Sequence, residues 1–239
     1  MDNYQRLFKE SRPVTKEEVP FPDYETAMKM VDSEWWKNLN RGISSYDQDD
    51  FNSAITYLNK AIREEPEHPQ LYSVRASIKE DSGDRNGAIQ DYKKSLYISG
   101  EDWYATYHQL GVNYFAIKDL ANAIIAYDIA IELKSKLAAT GGKEDMLPNT
   151  LPGGVVFKVE FAKLYANRAN AKLALKDFQG CADDCNKAIK ANPDYSNSYY
   201  VFGLLFLHIS QDEKAYRFLK MAESKGHKQA TNTINQYFE

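Results

Sequence analysis

The two cysteines of this 239-residue chain, Cys181 and Cys185, stand four residues apart in the stretch GCADDC, with Asp183 and Asp184 between them. On a helix that spacing puts both sulfurs on one face, a turn apart, where soft ligands could begin a metal site or a redox pair. A metal site needs more ligands, and the four histidines, His68, His108, His208 and His227, all lie elsewhere. Two thiols one turn apart on a rigid helix are also badly placed for a disulfide. No HExxH, phosphate-loop, dinucleotide-binding, nucleophile-elbow or kinase motif is present. GGK at Gly141 to Lys143 lacks the preceding glycine and following hydroxyl residue of a phosphate loop. A site around His108, Asn167 and Asn170 has nothing nearby to tune an acid or base. The expectation is a non-enzyme with no cofactor and no metal.

What, then, positions the cysteines? Their stretch is one copy of a recurring cadence. A small residue opens it at Ala54, Ala88, Ala123, Cys181 and Ala215, with spacings of 34, 35, 58 and 34. Four residues on comes a larger side chain: Leu58, Tyr92, Tyr127, Cys185 and Leu219. Seven residues on, the side chain is small again: Ala61, Ser95, Ala130, Ala188 and Ala222. Twelve residues before each opener stands Gly42, Ala76, Gly111, Ala169 or Gly203. Small residues at helical spacing let two helices approach closely. Each copy therefore reads as an antiparallel helix pair, with turns near Asp49-Asp50, Ser82-Gly83-Asp84, Lys118-Asp119 and Lys176-Asp177. No proline falls inside a predicted helix; Pro66 and Pro193 mark repeat ends, and Pro69 opens the next unit. In this register Cys181 and Cys185 fill a small and a medium packing slot, as cysteine often does.

This pattern resembles the tetratricopeptide repeat. The likeness covers about Trp35 to Gln229, and repeat four follows the family pattern most fully. It implies an all-α, right-handed superhelical solenoid of five helix pairs with terminal capping helices, and a concave face built from the first helix of each pair. The implied division is 1–34 for a tail and capping helix, 35–137 for repeats one to three, 138–161 for an insertion, 162–229 for repeats four and five, and 230–239 for the end of a C-terminal cap. In the cap, Ala230, Ile234 and Phe238 recur every four residues. Arg75 with Asp91, and Arg168 with Asp184, recur one per helix. They read either as ion pairs within a unit or as arginines whose stems cover apolar surface.

The resemblance places the function on the concave surface, as a protein–protein interaction scaffold or adaptor for an extended peptide or partner protein. The candidate contacts are Trp36, Tyr46, His108, Phe115, Asn167, Asn170, Asn197 and Tyr200. The family's clamp for a chaperone C-terminal carboxylate needs Lys and Asn, then Asn, then Lys and Arg on successive repeats. Here Asn167 fits the middle slot, but His108, Val112, Asn197 and Val201 flank it. The frame one repeat earlier, Ser73, Ser77, Gln109, Lys163 and Asn167, is also incomplete, which argues against chaperone tails. The alternative reading is an adaptor that docks a folded regulator through the insertion 138–161 and the solenoid rim. Its sequence TGGKEDMLPNTLPGG reads as a loop, while the flanking segments keep helical character and are expected to run past the usual repeat ends.

Composition is consistent with a binding protein. The chain is 43% hydrophobic and 27% charged, with a net charge of -4. That balance gives no global field to draw it to nucleic acid or anionic lipid. No apolar run approaches the roughly 20 residues of a membrane span. The polar, acidic N-terminus lacks the apolar core of a secretory signal, and two cysteines make no disulfide framework; cytoplasmic localisation is the expectation.

Overall fold

The computed structural model describes residues 32–100, 103–140 and 159–238. The expected N-terminal tail, most of its capping helix and the loop from Gly141 to Gly154 lie outside the described residues. The described chain forms α1 (Glu34–Tyr46), α2 (Phe51–Glu64), α3 (Pro69–Asp81), α4 (Arg85–Ser99), α5 (Tyr104–Ala116), α6 (Leu120–Ala139), α7 (Phe161–Ala174), α8 (Phe178–Ala191), α9 (Ser196–His208), α10 (Asp212–Ser224) and α11 (Lys228–Phe238). These are five helix pairs and a closing helix. Each pair packs along its length, each second helix packs on the next first helix, and α7 also touches α5 and α9. Packing confined to close neighbours along the chain is the mark of a solenoid.

The same turn joins the helices of every pair. A residue in the left-handed conformation, Asp49, Gly83, Lys118, Lys176 or Ser210, stands immediately before the cap of the second helix. In four pairs the cap is an aspartate. Asp50, Asp84, Asp119 and Asp177 accept a hydrogen bond from the backbone N–H of Ser53, Gly87, Asn122 and Gly180. This satisfies one of the N–H groups that a helix start leaves without a partner. Gln211 holds the slot in the fifth pair without a side-chain cap bond.

The cadence of small residues lies where helices meet. Ala54, Ala88, Ala123, Cys181 and Ala215 are all 0% exposed. At Gly111 a Cβ would stand 2.4 Å from the Tyr127 ring, so only glycine lets that ring lie against the α5 backbone. Ala230 and Ile234 are buried in α11, and Phe238 meets the Tyr216 ring at 5.3 Å. The insertion's flanks behave differently from each other. α6 does run long, 20 residues against 13 to 15 in the other second helices. α7 does not extend backwards: it starts at Phe161, after an extended Glu160. Val159, just before it, is β-branched and loses side-chain freedom in a helix.

Candidate functional site

The candidate contacts sit on four first helices, α1, α5, α7 and α9. Seven of the eight, Trp36, Tyr46, Phe115, Asn167, Asn170, Asn197 and Tyr200, are partly exposed, and His108 is buried. Trp36 meets Trp35 edge to face at 5.7 Å, and Phe115 packs one side on the central core while Lys118 lies over its ring. The Tyr46 hydroxyl donates to Asp81 at 2.5 Å, joining α1 to α3. That bond, then burial, raises its pKa to about 12, so the phenol remains a donor at neutral pH.

His108, Asn167, Asn197 and Tyr200 also make contacts between helices. His108 is 1% exposed. Asn167 of α7 donates to its Nε2 at 3.1 Å, so the ring proton sits on Nδ1 and is given to Gln109 at 2.9 Å. Burial first, then the charge of Lys163, lowers the His108 pKa to about 4 against a small opposing effect of Gln109. The ring is neutral and screened from solvent, and it bridges α5 to α7. The network continues inward. Glu80 of α3 accepts from Asn113 at 2.8 Å, from Gln109 at 3.4 Å and from the Tyr92 hydroxyl at 3.3 Å. It also pairs with Arg85 at 3.2 Å. The chain from Glu80 through Gln109 and His108 to Asn167 thus crosses repeats two, three and four. Asn113, Arg85 and Tyr92 were not legible as its members, because their contacts with Glu80 span 5, 12 and 33 positions across three helices and follow no spacing rule.

Asn197 and Tyr200 are likewise engaged, with the C-terminal end. Tyr200 stacks on His227 at 4.0 Å and its hydroxyl meets Thr233 at 3.2 Å, while Asn197 reaches His227 Nε2 at 3.3 Å. The sequence offered a signal for this, since a closing helix must cover the apolar face of the last repeat.

The remaining chemistry-bearing residues are structural. Cys181 and Cys185 are 0% exposed. The adjacent Cys181 thiol, then burial, pushes the Cys185 thiol far above its ordinary value, so no thiolate forms. Among the described residues no group of three His, Cys, Asp or Glu side chains could hold a metal ion. The two arginine–aspartate pairs are ion pairs within their units, and more. Asp184 binds Arg168 through two parallel bonds of 2.7 and 2.6 Å, and Lys172 at 2.8 Å. Asp91 does the same with Arg75, at 2.8 and 2.7 Å, and with Lys79 at 2.8 Å. Each arginine also reaches back to the preceding repeat, Arg75 to Asn59 at 2.6 Å and Arg168 to Asp128 at 2.5 Å. Burial alone would raise the Asp184 pKa; the bonds and charges of Arg168 and Lys172 outweigh it and hold the carboxyl below its usual range.

A stack of helix pairs with such repeat-to-repeat bridges defines a helical-repeat solenoid. The chain carries tetratricopeptide repeats: the family model described as Tetratricopeptide repeat matches residues 69–102, 104–137 and 162–195. Solved structures agree on the fold. A MamA protein superimposes with a TM-score of 0.64 at 20% identity, over 83% of this chain and 94% of that one. YrrB, described as a TPR protein with an unusual peptide-binding site, gives 0.62 at 12% identity, over 90% and 98%. Among curated proteins, the Hsp70/Hsp90 co-chaperone CNS1 of Saccharomyces cerevisiae is 40% identical over 52 residues, which is 22% of this chain and 14% of that protein. Superkiller protein 3 of Schizosaccharomyces pombe is 23% identical over 155 residues, 65% of this chain and 10% of that protein. The matched regions thus span only a small part of these curated relatives.

Proposed function

We propose that this chain is a non-enzymatic protein–protein interaction scaffold that receives an extended peptide or a partner protein on its first-helix face. The observation that carries this reading is the state of that face. Hydrogen bonds between helices fix Tyr46, Asn167, Asn197 and Tyr200 in place, and these four, with Trp36, Phe115 and Asn170, keep partly exposed surface. Aromatic rings held rigidly by their neighbours supply contact area with little entropy left to lose. The peptide-binding site in the description of YrrB and the co-chaperone role of CNS1 are compatible with this reading.

The test is a pull-down with the full chain, comparing wild type with W36A, Y46A, F115A and N170A after confirming helix content by circular dichroism. Loss of the same partners from two or more variants is expected. Retention of every partner by all four would remove the first-helix face from consideration. A chaperone C-terminal peptide serves as a further arm: with the clamp incomplete and Asn167 engaged by His108, it is expected not to bind.

The second reading, docking of a folded regulator through the insertion 138–161 and the rim, draws on the length of α6, which runs 20 residues into the start of that insertion. Deletion of Gly141 to Gly154 separates the two. Partner loss on deletion, with the four alanine variants unaffected, would favour the insertion.

A further inference from the structure

The fifth repeat breaks a rule kept by the second and fourth. In those units three equivalent slots hold the ion clusters Arg75, Lys79 and Asp91, and Arg168, Lys172 and Asp184. In the fifth the same slots, counted from the opener Ala215, hold Phe202, Phe206 and Phe218. The three rings form one cluster, with centroids 4.5, 5.0 and 5.4 Å apart. Phe202 is buried, but Phe206 and Phe218 are only partly covered. Beside them opens a cleft of about 280 Å³ lined by Phe206, Lys214, Arg217, Phe218 and Met221.

Four of those five residues come from α10, so the cleft belongs to the second helix and not to the first-helix face. Its floor is apolar and its rim is cationic. Lys214 lies over the Phe206 ring at 5.4 Å, and neither Lys214 nor Arg217 makes an ion pair with another described residue. Met221, at 41% exposure, is a large apolar side chain left at the surface. Methionine and aromatic rings adapt to varied apolar anchors, and two unmatched cations select for acidic neighbours of that anchor.

We propose that this cleft is a second docking site, for an acidic peptide segment of another protein that inserts one apolar side chain between Phe206, Phe218 and Met221. Glutamate or aspartate residues flanking the anchor pair with Lys214 and Arg217. The proposal is independent of the first-helix reading: a scaffold could fail there and still bind here, and the reverse.

The experiment uses the full chain labelled at its methionine methyls and two synthetic probes. One is a blocked pentapeptide with phenylalanine flanked on each side by two glutamates; the other replaces the glutamates with lysines. The chain has five methionines, and the Met221 signal is assigned by its loss in M221L. The acidic probe, titrated to about 1 mM, the range of weak single-anchor binding, is expected to move the Met221 methyl resonance saturably, and the basic probe to leave it still. K214E/R217E, whose changes are both exposed, should weaken acidic-probe binding at least about tenfold and admit the basic probe instead. Added salt should weaken both matched pairs. F115A and N170A should bind the acidic probe as wild type does. An unmoved Met221 signal, or equal response to both probes, overturns the proposal. So does acidic-probe binding that appears only when residues 1–31 are removed, which would make the chain's own N-terminal stretch the occupant.

Discussion

At the scale of single residues, burial sorts the side chains that looked chemical into those that hold the fold and those that meet solvent. Asp184 shows the sharpest dependence. Its side chain is 1% exposed and is surrounded by Arg168 and Lys172, themselves 12% and 19% exposed. Asp184→Asn keeps the shape and removes the charge, leaving two partly buried cations with only Asp128 beside them. Breaking such a pair by removing one partner typically costs about 3–5 kcal/mol; urea unfolding of D184N should show a loss near the lower end, because Asp128 still compensates Arg168. The cysteines make the contrast. Cys181→Ala restores the residue found in the other four openers and should cost far less than D184N in the same measurement. A loss as large as that of D184N would mean that Cys181 does more than fill space.

Among helices and turns, the repeated left-handed residue followed by an aspartate cap sets where each second helix begins. Asp177→Ala removes the acceptor for the Gly180 N–H and is expected to cost about 1 kcal/mol in denaturant midpoint experiments. Gln211, which makes no cap bond, offers the reverse: Gln211→Asp should stabilise by a similar amount. The pairs and turns were legible because both depend on local pattern: small residues in register, and Asp after a short polar turn. The start of α7 was less legible, since the apolar character of the sequence runs on before Phe161, while Val159 and Glu160 lie outside the helix. The candidate site was legible as positions on first helices but not as contacts. Seven of the eight candidates keep partly open surface, whereas the burial of His108 depends on α5, α6 and α7 closing around it, and no single segment encodes that. The covering of Asn197 and Tyr200 depends on α11 in the same way.

Across the whole molecule, a solenoid is held by contacts between neighbours, so a bridge that spans three repeats matters more than its bond count suggests. The Glu80–Gln109–His108–Asn167 chain is such a bridge, and its weak point is the histidine. Its folded pKa is near 4, depressed from an ordinary 6.5. Above pH 6.5 both folded and unfolded chains carry the neutral ring, and the contribution to stability is complete. Between about 6.5 and 4 the unfolded chain takes up the proton and the folded chain does not, so stability falls with pH by about 1.4 kcal/mol per unit for this one group. His68 and His227, also lowered by burial, act in the same direction, while Asp184 begins to lose its contribution only below the ordinary carboxylate range. His108→Gln removes the titration and keeps a side chain able to accept from Asn167. Its unfolding free energy, followed from pH 7 to pH 4.5, should therefore fall less steeply than that of the wild type. The amides of α5 and α7 should be the ones whose hydrogen exchange in the wild type accelerates first. If the two proteins lose stability in parallel across that range, proton uptake at His108 does not govern the junction. The acid sensitivity would then belong to His68, between the first two pairs, and His227, before the closing helix.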